Sequence, residues 1–305
     1  MTEPGIVVAN APISYGAFEL TVGIDPAVPA ADALLDHIVD AGYTGIDLGP
    51  IGFLGEGDLL RSRLQSRGLG LAGGYLELPF SDHDALTEQI PELDALLDVF
   101  DAAPDTHPAP KPTLADAGSA IRRANPGKAA TDRSFGFDDA AWGRFAVGLQ
   151  RTVDHCRGRG YEPTLHPEAG THIEAAWEID QALERTDIGF CLETGHQLVG
   201  GGDALPTIEK WGARINHVHL KDASRNVIAE IIADHGSVEE IWRRRAFPPL
   251  GGGDVPVDDV VDGLVRLGYT GWLVVEQDIM PGSSDPAQAH AHQVANRELL
   301  RAHGL

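Results

Sequence analysis

The strongest constraint on this chain is a repeated alternation. A short apolar run is followed by a Gly- or Pro-bearing turn and then by a segment with apolar residues at helical spacing. Gly5–Asn10 empties into the loop Ile13–Glu19, and Asp25-Pro26 opens a helix whose Ala31, Leu34, Leu35, Ile38 and Val39 share one face up to Gly42. Further strands are predicted at Tyr43–Leu48, Leu69–Tyr75, Lys111–Asp116, from Thr164, and at Ile188–Leu192, Ile215–His219 and Gly271–Val275. Helices are predicted at Leu59–Arg67, Ala85–Asp101, Phe137–Arg159, Glu174–Glu184, Ala204–Trp211, Val257–Leu267 and Ala287–Ala302. Eight such units in 305 residues predict a closed parallel (β/α)8 barrel, with residues 1–305 as a single domain, rather than an open doubly wound sheet. No Gly-x-Gly-x-x-Gly follows the first strand, which weakens a dinucleotide-binding reading.

Two excursions interrupt the rhythm. Ala117–Ser134 is polar and carries Arg122, Arg123, Lys128 and Arg133; Ala223–Gly253 is predicted to be partly helical around Val238–Arg245. Gly200–Asp203 and Gly251–Asp254 read as turns before helices, and Trp177, Trp242 and Trp272 as core or interface aromatics.

Charge narrows the function. With 46 Asp and Glu against 23 Lys and Arg, the formal charge is −23, so a nucleic-acid backbone would be repelled and no nucleic-acid partner is expected. The two cysteines, Cys156 and Cys191, fit reduced packed thiols, and no run of about 18 apolar residues suggests a membrane partner. Met-Thr-Glu-Pro-Gly at the start has neither a basic stretch nor an apolar one, so a soluble, cytoplasmic protein is expected.

In a barrel, working residues sit at the carboxyl ends of strands. Four successive predicted strands end there in titratable groups: Thr164-Leu-His166-Pro-Glu168, Ile188-Gly-Phe-Cys-Leu-Glu193-Thr-Gly-His196, Ile215-Asn-His217-Val-His219-Leu-Lys221-Asp222 and Trp272-Leu-Val-Val-Glu276-Gln-Asp278. A lone His-x-His is weakly specific, but buried charge at four neighbouring strand ends is costly unless something uses it. A divalent cation would, because it needs oxygen and imidazole donors converging within roughly 2.0–2.6 Å of one point. The candidate ligands are Glu168 or His166, with Glu193, His219 and Glu276. A carboxylate-rich set with one imidazole suits manganese, cobalt or magnesium better than a closed structural zinc site, although zinc also falls within the range of such donors.

Several stretches together resemble the xylose isomerase-like TIM barrel superfamily. They are Ala11-Pro-Ile-Ser-Tyr-Gly16, Gly45-Ile-Asp-Leu-Gly-Pro50, Gly73-Gly-Tyr-Leu-Glu-Leu-Pro79, His166-Pro-x-x-Gly-Thr171, Glu193-Thr-Gly-His196, His217-Val-His-Leu-Lys-Asp222 and Tyr269-Thr-Gly-Trp-Leu-Val-Val-Glu276. Within it the chain most resembles the inosose dehydratases, from about residue 7 to 278. The resemblance implies one metal held by the last four strands and a polyhydroxy ketone or related sugar as substrate. By position, His219 matches the family's imidazole ligand and Glu276 its last carboxylate. Two departures stand out: Glu193 replaces the usual Asp, and His166-Pro-Glu168 replaces His-Pro-His.

On this reading the reaction is metal-assisted dehydration of a keto-polyol. Glu168 or Glu276 takes the proton α to the carbonyl, and His196 or Lys221 donates one to the departing hydroxyl. Asn10, Asp47, Glu77 and Arg133 are lesser candidates for binding hydroxyls, as is His196. The nearest alternative is a keto-sugar isomerase or epimerase sharing the metal and the α-proton abstraction; a sugar-binding module without chemistry and a metal-dependent endonuclease are more distant ones. A homo-oligomer is compatible with the fold, and nothing in the sequence fixes its number.

Overall fold

A computed structural model describes residues 5–280 and 286–305. Nine strand segments form one parallel sheet: β1 (Ile6–Asn10), β2 (Gly45–Ile46), β3 (Gly70–Leu71), β4 (Gly73–Leu78), β5 (Lys111–Asp116), β6 (Thr164–Leu165), β7 (Gly189–Glu193), β8 (Ile215–Leu220) and β9 (Gly271–Val275). Their order is β3-β2-β1-β9-β8-β7-β6-β5-β4. The two ends of that order are consecutive pieces of the one run predicted as the third strand. Gly70 and Leu71 pair with β2, and Gly73–Leu78 pair with β5, which closes the ring into the expected TIM barrel. The side chain missing at Gly73 permits the switch, because a Cβ there would stand 2.8 Å from the Lys111 carbonyl of β5.

Helices follow the strands and cover the barrel. Those at Ala204–Trp211 and Val257–Leu267 have the predicted bounds, and the others shift by a few residues. The first differs more. It starts at Ala31, after a turn in which the Asp25 carboxylate accepts the Ala27 N–H, and Pro29 disfavours helical backbone at Val28. The second excursion holds two helices, Arg225–Ala233 and Val238–Arg243, the first capped by Ser224. In the first excursion only a short turn of helix, Ala120–Arg123, lies between irregular segments and two 3-10 turns. Cys156 and Cys191 are free and buried. No helix among the described residues is long and apolar enough to cross a membrane.

Strand alternation sorts the side chains. Val8, Leu114, Leu165, Leu192, Val218, Leu220, Leu273 and Val275 belong to the apolar layer between sheet and helices. Trp272, Ala9, Ala72 and Val274 pack together as a separate cluster filling the barrel interior. Trp272 is the plug, with its indole N–H donated to the Pro108 carbonyl at 2.9 Å. It fits because two strands carry no side chain beside it: a Cβ at Gly45 or Gly70 would lie 2.4 or 2.7 Å from the indole.

Candidate active site

Toward the carboxyl ends the same inward alternation delivers polar groups. From β8 come His217 and His219, with Lys221 just beyond it; from the end of β7, Glu193; from the segment after β6, His166 and Glu168; and from the segment just beyond β9, Glu276 and Asp278. His217, His219, Glu193, His166 and Lys221 are buried.

Glu193 does two jobs. Its Oε1 accepts the N–H groups of Gly195 and His196 at 3.0 and 3.4 Å, capping the short helix Thr194–Val199. Its Oε2 has no hydrogen-bond partner among the described residues. Around that oxygen stand His166 Nε2 and His219 Nδ1, each at 3.5 Å, and Lys221 Nζ at 3.6 Å. His219 Nδ1 is in turn 3.3 Å from Glu276 Oε2 and 3.2 Å from His166 Nε2. Donor atoms of Glu193, His219 and Glu276 all lie within 4.8 Å of one another. Of the two alternatives after β6, His166 is the one beside this cluster. Glu168 turns the other way, its Oε1 3.3 Å from His196 Nε2 and its Oε2 3.5 Å from His166 Nδ1.

Lys221 closes the group from the side, with Nζ 2.8 Å from Asp278 Oδ1 and 3.0 Å from Glu276 Oε2. His196 Nδ1 accepts the Ala169 N–H at 3.2 Å. Its Nε2 stands between Lys221 Nζ at 3.1 Å and Glu168 Oε1 at 3.3 Å.

Electrostatics follow from these contacts. Burial disfavours charge on Glu193, but Lys221, His166 and His219 outweigh it and hold that carboxylate well below its usual range. Glu276 is likewise lowered, burial being overcome by His219 and Lys221. Glu168 has weaker compensation, and burial keeps it well above the carboxylate range despite Lys221. Burial and the Lys221 ammonium hold His196 neutral. Asp47, buried 3.6 Å from His219 Nε2, is pushed up to about 7 by burial, with His219 opposing and Glu276 reinforcing the rise.

The donor set fits a divalent cation. Glu168, Glu193, Glu276 and Asp278 crowd around a single ammonium, Lys221, and Glu193 Oε2 is buried without a hydrogen-bond partner among the described residues while two imidazoles and a second carboxylate converge beside it. Buried charge of one sign calls for a counterion. His166, Glu193, His219 and Glu276 are the residues placed to hold it.

Above the cluster a cavity of about 480 Å³ opens to solvent, lined by Asp47, Tyr75, Glu77, His196, Trp242 and the reactive groups among others. Glu77 receives the Tyr75 hydroxyl at 3.1 Å and the Arg123 guanidinium at 2.6 Å.

Two expected hydroxyl-binding residues are not in this cavity. Asn10 has the same parity on β1 as Val8, so its side chain faces outward and donates to Gln293 on the helix Pro286–Ala302. Arg133 is exposed, with its guanidinium 4.8 Å from the Trp177 ring. Its excursion is pinned by Arg122, buried against Glu174 and Glu178, and by the Trp177 indole N–H donated to the Ala129 carbonyl. That pinning brings Arg123, rather than Arg133, to the mouth. Asp278, Tyr75, Arg123 and His217 also join the site or its floor. Asp278 continues the alternation of Glu276 and was findable; Arg123 arrives through loop packing that leaves no periodic signal.

Carboxylates and imidazoles gather at the carboxyl ends of the last four strands of this parallel barrel, the end at which such barrels carry their working residues. Residues 35–300 match the family described as xylose isomerase-like TIM barrel, and the chain belongs to that family. An inosose dehydratase of Geobacillus kaustophilus is 26% identical over 268 residues, 87% of this chain and 83% of that protein. One from Erwinia tasmaniensis is 29% identical over 280 residues, covering 88% and 89%. Among solved structures, the probable 3-DHS dehydratase AsbF of Bacillus anthracis superposes with a TM-score of 0.67 at 14% identity, over 97% of this chain and 98% of that one. D-allulose 3-epimerase from Methylomonas sp., in complex with D-allulose, gives 0.67 at 14%, over 98% and 97%.

Proposed function

We propose that this chain is a divalent-metal-dependent dehydratase of a keto-polyol such as an inosose. The observation that carries the reading is the convergence of His166, Glu193, His219 and Glu276 beside Glu193 Oε2, in a chain whose relatives over most of its length are inosose dehydratases. Bound there, the cation supplies Lewis-acid polarisation of a substrate carbonyl; manganese or cobalt suits the mixed carboxylate and imidazole donors, and magnesium or zinc less so.

The chain's own residues do the rest. Glu168 is the base, because its basicity is raised, it faces the cavity, and it is not among the four converging donors. His196 Nε2, 3.3 Å from Glu168 Oε1 and 3.1 Å from Lys221 Nζ, holds the base and the acid in place beside one another. Lys221, charged and directed by Asp278 and Glu276, is the acid that protonates the departing hydroxyl. The Glu77–Arg123 pair and Asp47 supply hydroxyl contacts. Removal of one proton and one hydroxyl releases water and leaves a carbon–carbon double bond conjugated to the carbonyl.

A keto-sugar epimerase is the second reading, favoured by two carboxylates, Glu168 after β6 and Glu276 after β9, that line the same cavity. Proton NMR of the Mn²⁺- or Co²⁺-loaded protein with scyllo-inosose and a set of ketohexoses in D₂O tests both. Metal-dependent loss of water supports the dehydratase; deuterium exchange with interconversion of sugars and no dehydration replaces it with the epimerase.

A further inference from the structure

The cavity above the converging donors has two unlike walls, and together they restrict what can enter. Seven carboxylates line it against two cations, Lys221 and Arg123. Both cations are already paired, Lys221 with Asp278 and Glu276 and Arg123 with Glu77. Carboxyl groups outnumber the cations and neither cation is unpaired, so an incoming phosphate or carboxylate finds no free guanidinium or ammonium to receive it.

The wall on the β1 side is mostly apolar, with Glu19 as its one carboxylate. Pro12, Ile13, Phe18 and Leu20 come from the segment after β1, and Val238 and Trp242 come from the second excursion. Phe18 and Trp242 lie with ring centroids 6.2 Å apart. The one polar atom among these side chains, the Trp242 indole N–H, is already donated to Asp278 Oδ2 at 3.2 Å. Leu20 is 67% exposed at the rim of the same cavity. An unsubstituted inosose has an oxygen on every ring carbon. Those oxygens find partners at the carboxylate floor, at Glu77–Arg123 and at Glu19, and none along the Ile13, Phe18 and Leu20 side chains.

Resting on the dehydratase reading, we infer that the substrate is an uncharged keto-polyol bearing one apolar substituent, an ether- or glycoside-linked aryl or alkyl group that lies along Ile13, Phe18 and Leu20. Apolar walls with a few placed polar groups are how small-molecule sites fix orientation, and a buried aromatic group adds affinity through the area it removes from water.

The test uses the Mn²⁺-loaded protein with scyllo-inosose, its mono-O-benzyl ether and its monophosphate, and follows the absorbance of the unsaturated product. A second arm measures the binding of myo-inositol and its mono-O-benzyl ether by quenching of tryptophan fluorescence. The benzyl ether is expected to exceed scyllo-inosose in kcat/KM by about tenfold or more, with the phosphate last, and benzyl inositol to bind correspondingly tighter than inositol. Phe18→Ala and Leu20→Ala are each expected to reduce the benzyl preference in both arms. Equal use of scyllo-inosose and its ether, a preference for the phosphate, or a benzyl preference unmoved by both variants overturns the inference and leaves the dehydratase reading standing. Turnover of none of the ketones overturns the dehydratase reading, and the binding arm then still decides the inference.

Discussion

The amino end and the carboxyl end of this barrel are made by the same strands with the same inward alternation, yet their chemistry is opposite. At the amino end Trp272 fills the space left by Gly45 and Gly70, and its indole N–H is satisfied by the Pro108 carbonyl. At the carboxyl end, two residues along β9 from Val274, Glu276 enters a cluster in which Glu193 Oε2, His219 Nε2 and both nitrogens of His217 lack hydrogen-bond partners among the described residues. A fold gains nothing from burying unsatisfied charge. The difference therefore separates what the chain keeps for stability from what it keeps for chemistry, and each half of that separation can be broken on its own.

The largest effect is expected at Glu168. Glu168→Gln should lower kcat by about 10²–10⁴-fold while leaving the thermal midpoint unchanged or higher, read by steady-state kinetics and circular dichroism. The base must be deprotonated to accept the α-proton, so wild-type kcat/KM should rise with pH through a limb displaced above the ordinary carboxylate range. The Gln variant should lack that limb. Trp272→Ala should do the reverse, removing about 3–5 kcal/mol of stability in urea titrations with no change in the number of cations bound. A loss of cation binding in that variant would show that the two ends are not separable.

Asp47 lies between the two ends, behind His219, with its carboxylate toward Nε2 while Nδ1 faces Glu193 and Glu276. Asp47→Asn should weaken Mn²⁺ binding by about 10–100-fold, measured by calorimetry, because the carboxylate 3.6 Å from His219 Nε2 is lost. The smallest effect is expected at Gly45. Gly45→Ala should cost about 1–3 kcal/mol in denaturant by forcing the indole to move, and should spare cation binding.

How far the sequence foretold this depends on the kind of signal. The strand–helix rhythm was legible throughout, because burial imposes a period on each element. His217, His219 and Lys221 could be placed on one face for the same reason. What failed was geometry that no period encodes. Asn10 stood at a strand end like the other candidates, but its parity turned it toward Gln293. Arg133 was one basic residue among several in a loop, and the buried Arg122–Glu174–Glu178 pairing, formed between distant segments, decided that Arg123 would reach the cavity. The choice between His166 and Glu168 also turns on side-chain direction. Both point inward, and only the distances to His219 and His196 separate them.

The central claim is that the converging donors at the carboxyl end bind a divalent cation. Isothermal titration calorimetry of metal-stripped protein with Mn²⁺, on the wild type and on Glu193→Gln, tests it most directly. A single Mn²⁺ per wild-type chain is expected, with markedly weaker binding in a variant whose circular dichroism shows it folded. Absence of binding to the wild type, or equally tight binding to the folded variant, would contradict it.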